Sequence, residues 1–118
     1  MKIQLGLLVL KTKDPALLAD FYSKLGLQFE VHQHGKGPIH YCCELEEMVF
    51  EIYPLPKNQH EPDKSTRLGF KVENLDNLVG QLIAENIQIV SSPKNYDWGY
   101  SAIIEDLDGR KVELTQLK

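Results

Sequence analysis

Apolar residues recur at helical spacing in two separate stretches of the chain. The first stretch follows Asp14-Pro15 and ends at Gly26, and the second follows Asn74 and ends at Asn86. Asp and Asn are favoured N-cap residues, and proline suits the first helical position. Gly or Asn supplies the left-handed residue that ends a helix. The same number of residues separates cap from stop in both stretches, so we predict two helices of matched length.

Extended segments surround each predicted helix in the same order, one before it and three after it. They are Ile3–Lys11, Gln28–His34, Ile39–Leu45 and Met48–Tyr53 in the first copy, and Thr66–Glu73, Gln88–Val90, Tyr100–Glu105 and Lys111–Gln116 in the second. Turn-forming residues separate the strands, including Ser91-Ser92-Pro93 and Asp108-Gly109. The pattern predicts an α+β fold of two tandem β-α-β-β-β modules. Within a single domain, these modules span about 1–55 and 66–118, with a polar linker at 56–65.

The last strand of each module carries a glutamate between two apolar residues, Glu51 in one and Glu113 in the other. Strand side chains alternate between the two faces of a sheet. One face of each strand is apolar and should pack under a helix. The other face presents Glu51, Arg67 and Glu113 with apolar and aromatic neighbours. If the sheets curl toward each other, these faces line a cleft, where a ligand would bind.

Composition and charge narrow the partners that the chain can have. Its 118 residues are 42% hydrophobic and carry a formal net charge of −4. The basic residues are scattered, whereas nucleic-acid binding needs a clustered basic surface. No apolar run reaches the roughly 18 residues of a membrane span. Cys42 and Cys43 are neighbours in a strand, so a disulfide between them is disfavoured, and we expect a reduced, cytoplasmic protein.

Two phrases in the sequence resemble the glyoxalase/bleomycin-resistance/extradiol-dioxygenase superfamily, also called the vicinal oxygen chelate superfamily. The first is Asp14-Pro15 followed by Asp20-Phe21-Tyr22-Ser23-Lys24-Leu25-Gly26-Leu27, and the second runs from Trp98-Gly99 through Glu105-Asp106-Leu107-Asp108-Gly109-Arg110-Lys111-Val112-Glu113-Leu114. Leu107 stands where the family usually has proline, and we expect only a local difference in the turn. The resemblance implies an incompletely closed barrel around a cleft, and a homodimer.

The resemblance also implies four positions that hold a divalent metal in the family. They fall on Leu7, Glu51, Arg67 and Glu113. Leu7 donates no electron pair. Arg67 is a permanent cation, and a cation about 4 Å from a divalent metal is repelled by on the order of 8 kcal/mol at an effective dielectric constant of about 20. We therefore expect no metal or other cofactor at these positions, and an Arg67 ion pair with Glu51 and Glu113.

Further residues are candidates for contact with a ligand. Leu7 and Val9 give an apolar wall, and Tyr53 shares the face of Glu51. Trp98 and Tyr100 flank Gly99 and either pack on the barrel or form an aromatic wall that stacks a planar ligand.

Histidines and cysteines complete the set of candidates. His40 points either into the cleft or away from it. His32 and His34 share a strand face but lack a third metal ligand at convincing spacing, so we expect a solvated edge. Cys42 and Cys43 are expected to be packing residues.

Three functions are compatible with this sequence. The first is a metal-free protein that binds a small apolar or aromatic compound, as bleomycin-resistance members do. The second is a metal-dependent lyase, isomerase or dioxygenase of the same superfamily. The third is a metal-free enzyme in which Glu51 or Glu113 acts as base and Arg67 stabilises an oxyanion. The ligand positions lost at Leu7 and Arg67 favour the first and third, and we expect small-molecule binding.

Overall fold

The computed structural model describes the whole chain, from residue 1 to residue 118, which divides into two compact units. The first unit is Met1–Asp63 and the second is Lys64–Lys118. The division falls inside the polar stretch at 56–65. No helix in either unit is long and apolar enough to cross a membrane.

The first unit is one helix on one four-stranded sheet. Its elements are β1 (Leu7–Thr12), α1 (Pro15–Ser23), β2 (Glu30–His32), β3 (His40–Leu45) and β4 (Met48–Pro54). The strand order in the sheet is β1-β4-β3-β2, with β1 parallel to β4 and the other pairs antiparallel.

The second unit repeats this topology. Its elements are β5 (Leu68–Val72), α2 (Leu75–Ala84), β6 (Ile89–Tyr96), β7 (Gly99–Glu105) and β8 (Lys111–Gln116). The strand order is β5-β8-β7-β6, again with only the first pair parallel. The predicted tandem β-α-β-β-β modules are therefore confirmed, and each sheet is open.

Both helices begin directly after the predicted caps, and each ends two or three residues before its predicted stop. The Asp14 side chain accepts a hydrogen bond from the Leu17 amide at 3.2 Å, and the Asn74 side chain accepts one from Asn77 at 3.2 Å. These caps satisfy amides that have no partner inside the helix. Downstream, Gly26 has a φ of 106° and Asn86 a φ of 63°, so both turn the chain in the left-handed region.

Each core lies between the helix and one face of its sheet. In the first unit, the Tyr22 ring of α1 meets the Phe50 ring of β4 edge-on, with ring centroids 5.2 Å apart. In the second, Leu75 and Leu82 of α2 are fully buried, as are the sheet residues Ala102, Ile104, Val112 and Leu114. Because strand side chains alternate, the opposite face of each sheet is left to Glu51 and its neighbours, or to Glu113 and its neighbours.

Two strand boundaries differ from the sequence prediction. β1 begins at Leu7 rather than Ile3. β6 continues through Ser91-Ser92-Pro93, which was expected to be a turn, because the register shifts between Ile89 and Ser91 and again between Ser91 and Lys94. β6 is an edge strand, where a bulged strand tolerates a proline that donates no hydrogen bond.

A buried arginine organises the turn between β7 and β8. Arg110 is fully buried, and its guanidinium donates to Asp106 at 3.2 Å and to Asp108 at 2.9 Å. Burial by itself lowers the pKa of Arg110, but the hydrogen bonds and charges of these two carboxylates outweigh it and raise that pKa. The Asp106 side chain also accepts from the amides of Asp108 and Arg110. Leu107, in the same turn, is exposed.

Candidate ligand-binding site

The open face of the second sheet carries a row of residues in register across its four strands. Gly69 lies opposite Glu113, Glu113 opposite Ile103, and Ile103 opposite Ser91. Partners in register project from the same face of a sheet. Glu113 is therefore the acidic group at the middle of this face, as the sequence predicted.

A stacked aromatic pair stands at one end of this face. The rings of Tyr96 and Trp98 are 4.5 Å apart and inclined by only 11°. The Lys94 ammonium lies 5.1 Å from the centre of the Tyr96 ring, and the Tyr96 hydroxyl is 3.1 Å from that of Ser91. The hydrogen bond with Ser91 lowers the pKa of Tyr96, opposed by burial and assisted by Lys94. The Trp98 side chain is exposed, so the pair presents apolar surface to solvent.

A pocket of about 460 Å³ lies on this face. Its lining includes Arg67, Tyr96, Trp98 and Glu113. A neighbouring pocket of about 330 Å³ shares Gly69, Trp98 and Glu113 with it. Binding sites for small molecules have volumes of roughly 300–1,000 Å³ and combine apolar walls with a few polar groups. This face therefore has the size and the chemistry of a small-molecule site.

Glycine at position 69 makes room beside Glu113. A Cβ at this position would lie 3.9 Å from the Glu113 Oε2 atom, an ordinary contact. The equivalent position in the first sheet is Val9, which lies opposite Glu51. The second sheet thus has space where the first has a branched side chain.

The expected ion pair between Arg67 and Glu113 is not formed, although both residues line the larger pocket. No carboxylate of the second unit lies within 4.0 Å of the Arg67 guanidinium. Arg67 is exposed, just before β5. An exposed pair gains little free energy and loses side-chain entropy, so nothing in this unit draws Arg67 onto Glu113.

Tyr100 lies on the other face of the sheet from Trp98. Its hydroxyl donates to the Asp76 carboxylate of α2 at 2.7 Å. This hydrogen bond raises the pKa of Tyr100, as do burial and the Asp76 charge. The aromatic wall expected from Trp98 and Tyr100 is therefore not formed by that pair. Tyr96 is the partner of Trp98, and it was missed because the predicted second strand of this module ended at Val90.

In the first unit, the face around Glu51 gathers most of the other predicted site residues. Glu51 lies between Val9 and Cys42 in register, and Leu7, which is 53% exposed, lies two residues before Val9 on the same strand face. Burial raises the pKa of the Cys42 thiol, and the Glu51 charge raises it further. Both cysteines are free thiols and buried.

His40 is buried on this face and held by several groups. Its ring stacks on that of Tyr53 with centroids 4.0 Å apart. The Nδ1 atom is 3.2 Å from the Pro38 carbonyl oxygen, and Nε2 is 3.2 Å from the Tyr53 hydroxyl and 3.7 Å from Glu51. Burial raises the pKa of Tyr53, and the Glu51 charge raises it further. Of the two orientations left open, His40 takes the one toward Glu51.

The four positions implied by the family's metal site have matching registers in the two sheets. Glu51 lies opposite Val9, and Leu7 is two residues before Val9. Glu113 lies opposite Gly69, and Arg67 is two residues before Gly69. This equivalence leaves one hydrocarbon and one permanent cation at two of the four positions. Divalent metals need electron-pair donors, so these side chains do not fit the family's metal.

A third histidine joins the two that the sequence placed on one strand face. One ring nitrogen from each of His32, His34 and His40 lies within 4.8 Å of the others. The expectation that His32 and His34 lack a third partner is therefore wrong. His40 comes from the next strand, where it lies directly opposite His32.

The sequence was compared with models of known protein families. The model of the Glyoxalase/Bleomycin resistance protein/Dioxygenase superfamily matches residues 4–114. The chain belongs to this superfamily. No match is found among curated proteins.

Solved structures of members and neighbours share the whole fold. An integron cassette protein from the mobile metagenome of V. cholerae is 25% identical, with a TM-score of 0.75 over 100% of this chain and 98% of that one. TnmS3, an antibiotic binding protein from Streptomyces sp. CB03234, is 21% identical, with a TM-score of 0.80 over 99% and 98%. A glyoxalase/bleomycin resistance protein from the same Streptomyces is also 21% identical, with a TM-score of 0.74 over 96% and 100%.

Proposed function

We propose that this superfamily member is a binding protein for a small aromatic or apolar molecule that lies on the open face of the second sheet. The observation that carries the proposal is the stacked pair of half-buried Tyr96 and exposed Trp98 beside the space left by Gly69. The outer face of this nearly parallel stack offers a flat apolar surface, and aromatic stacking contributes about 0.5–1.5 kcal/mol beyond the burial of area.

Arg67 and Glu113 give this surface its polar specificity. Arg67 lines the pocket without an ion pair in its unit, so its guanidinium is available to a carboxylate or phenolate on the ligand. Glu113 is half-buried beside it and accepts hydrogen bonds from hydroxyl or amino groups. The preferred ligand is then a planar molecule that carries an acidic group at one edge.

Binding at this face requires no metal at the family's four positions. The side chains of Leu7 and Arg67 support this part of the proposal, since neither donates to a cation. The fold neighbour TnmS3, named as an antibiotic binding protein, gives a precedent for binding by this architecture. Leu7, Val9, Tyr53 and His40 remain proposed ligand contacts on the open face of the first sheet.

We extend the proposal to a homodimer in the cytoplasm. Met1, Ile3 and Leu5 expose apolar surface beside Leu7, and a second copy would cover it. Light scattering coupled to size-exclusion chromatography tests the dimer, and a monomeric mass at all concentrations would contradict it. Fractionation of the source cells tests the location.

Titration with the aromatic anion anilinonaphthalene sulfonate tests the binding proposal. We expect saturable fluorescence enhancement that weakens roughly tenfold or more in Trp98→Ala, because the stacking surface is lost. Gly69→Val should block the pocket without backbone strain, since valine suits a strand. Tyr100→Phe, on the opposite face, is the matched control and should bind like the parent. Equal binding by Trp98→Ala, Gly69→Val and the parent would refute this site.

A second candidate is catalysis at the same face. It is favoured by the position of Glu113, a carboxylate in a pocket that also holds a cation able to stabilise a developing negative charge. If the protein is such an enzyme, Glu113→Gln should keep ligand affinity and lose turnover. If the bound molecule is not changed chemically, catalysis is excluded and the protein acts only as a binding protein.

A further inference from the structure

We infer that the hairpin between β2 and β3 forms a three-histidine site for a late divalent transition metal such as Zn²⁺. The site consists of His32, His34 and His40, whose ligand nitrogens lie within 4.8 Å of one another. It uses none of the four positions at which the superfamily's metal is expected. Imidazole is the side chain that zinc, copper and nickel share as a preferred ligand.

The chain brings the three rings together by two simple rules of strand geometry. His32 and His40 are register partners across β2 and β3, so they project from the same face. His34 follows His32 by two residues, and the turn beyond it is closed by a hydrogen bond from the Gly37 amide to the His34 carbonyl at 2.9 Å. This turn leaves the rings of His34 and His40 with centroids 5.1 Å apart.

Hydrogen-bond acceptors face one ring nitrogen of His40 and one of His32. The Nδ1 atom of His40 lies 3.2 Å from the Pro38 carbonyl oxygen, and the Nε2 atom of His32 lies 3.3 Å from the Glu30 carboxylate. Both oxygens accept, so a proton on this nitrogen of each ring would leave the electron pair of the other nitrogen for a metal. In His40 that other nitrogen is Nε2, where a bound metal would replace the 3.2 Å contact with the Tyr53 hydroxyl. Metal-binding histidines typically have this second contact to a carbonyl or carboxylate.

One of the three histidine rings is fixed in place, and the other two are able to move toward a metal. His40 is only 1% exposed and is stacked on Tyr53, so it is a fixed anchor. His32 is half-buried and His34 is exposed, so both rings are able to turn inward. Nitrogens of a tetrahedral zinc site lie roughly 3.4 Å apart, given bonds of about 2.0–2.1 Å. The two mobile rings therefore need to shorten each nitrogen–nitrogen distance by no more than about 1.4 Å.

The surrounding charges favour a cation. The Glu51 carboxylate lies 3.7 Å from the Nε2 atom of His40, and Glu30 contacts His32. Two carboxylates beside three neutral imidazoles offset the charge of a divalent ion, in contrast to Arg67 at the family's position. Three protein ligands leave the fourth tetrahedral position to water or to a ligand atom, as in open metal sites.

Titration of untagged protein with Zn²⁺, and with Co²⁺ as a visible-light probe, tests this site. We expect one ion per chain and the strong absorption of tetrahedral Co²⁺. His34→Ala should weaken zinc binding by at least roughly tenfold, the effect seen when even an outer-shell partner of a metal ligand is lost. His34 is exposed, so the fold should survive its replacement. Glu30→Gln should weaken binding by about 10–100-fold through the orientation of His32.

Two control variants separate this site from other metal sites and from the proposed ligand face. His60→Ala, another exposed histidine in the first unit, and Glu113→Gln should both bind zinc like the parent. His34→Ala should still bind anilinonaphthalene sulfonate. No saturable zinc binding by the parent, unchanged zinc binding by His34→Ala, or loss of zinc binding in Glu113→Gln would overturn the histidine site. None of these results requires the aromatic ligand, so the two proposals fail separately.

Discussion

Gly69 lies directly opposite Glu113 in the parallel pair β5 and β8, whereas the same place opposite Glu51 in the first sheet is taken by Val9. This difference is found between two modules that share topology, capped helices and the position of the acidic residue. The missing side chain opens the space between Glu113 and Trp98. The two sheets are therefore similar in fold and unlike in what they can bind.

Gly99 is the first residue of β7 and directly follows Trp98. Replacement of Gly99 should destabilise the protein. Its φ of 137° is rare for residues with a side chain, and a Cβ would lie 3.1 Å from the Thr115 Cγ2 atom. We expect Gly99→Ala to lower the free energy of unfolding by about 1–3 kcal/mol in urea denaturation. Gly80→Ala, in open space within α2, should instead raise it by about 0.5–1 kcal/mol. Equal effects of the two substitutions would contradict this account.

The Arg110 turn should be a large single contributor to the stability of the second unit. Arg110→Met leaves the buried Asp106 carboxylate without its cation, and breaking a buried pair costs about 3–5 kcal/mol. The adjacent Lys111 pairs with Glu105 at 3.0 Å but is 43% exposed. Lys111→Met should therefore cost no more than about 1 kcal/mol. Chemical denaturation measures the free energy of unfolding of both variants. If Arg110→Met destabilised the protein less than Lys111→Met, the Arg110 turn would not have this role.

Tyrosine ionisation should distinguish Tyr53 in the first unit from Tyr96 in the second. The pKa of Tyr96 is lowered by its hydrogen bond with Ser91, so its phenol loses its proton at a lower pH than an ordinary tyrosine. The pKa of Tyr53 is raised by burial and by Glu51, so that phenol ionises at a higher pH. Ultraviolet difference titration measures phenolate directly. Tyr96→Phe should remove an early component and Tyr53→Phe a late one, and the reverse order would show the assignments to be wrong.

The two adjacent thiols should be nearly inert in the native state. Burial raises the pKa of both Cys42 and Cys43, so little thiolate, the reactive form, is present at neutral pH. Alkylation should be slow in buffer and fast in denaturant. Glu51→Gln removes a charge that raises the pKa of Cys42, and should therefore shift the alkylation of that residue to lower pH. An unaltered pH dependence would show that Glu51 does not act on this thiol.

Local signals in the sequence were sufficient for the helices and for most strands. The caps at Asp14 and Asn74 and the stops at Gly26 and Asn86 depend on the conformational preferences of single residues, so they are readable without a structure. Ser91-Ser92-Pro93 was expected to be a turn after a strand that ended at Val90, but it lies inside β6. Whether a proline interrupts a strand depends on which neighbour the strand has, and β6 is an edge strand.

Some site residues were also predicted from local signals in the sequence, and others were not. Glu51 and Glu113 were placed by strand alternation and by the module repeat, both of which are local. The partner of Trp98 was not, because Tyr96 belongs to a bulged strand while Tyr100 turns toward Asp76. The expected pairing of Arg67 with Glu113 assumed that a shared face brings charges into contact, but an exposed ion pair gains too little free energy to hold the two side chains together.

The sequence by itself determined the repeat, the helix limits, the superfamily and the two acidic residues, because each depends on neighbours along the chain. Only the tertiary structure decided which side chains meet across strands. It brought His40 to His32 and His34, stacked Tyr96 on Trp98, and left space at Gly69. These contacts depend on strand register and turn geometry, which join residues that are distant in the chain and leave no periodic signal in it.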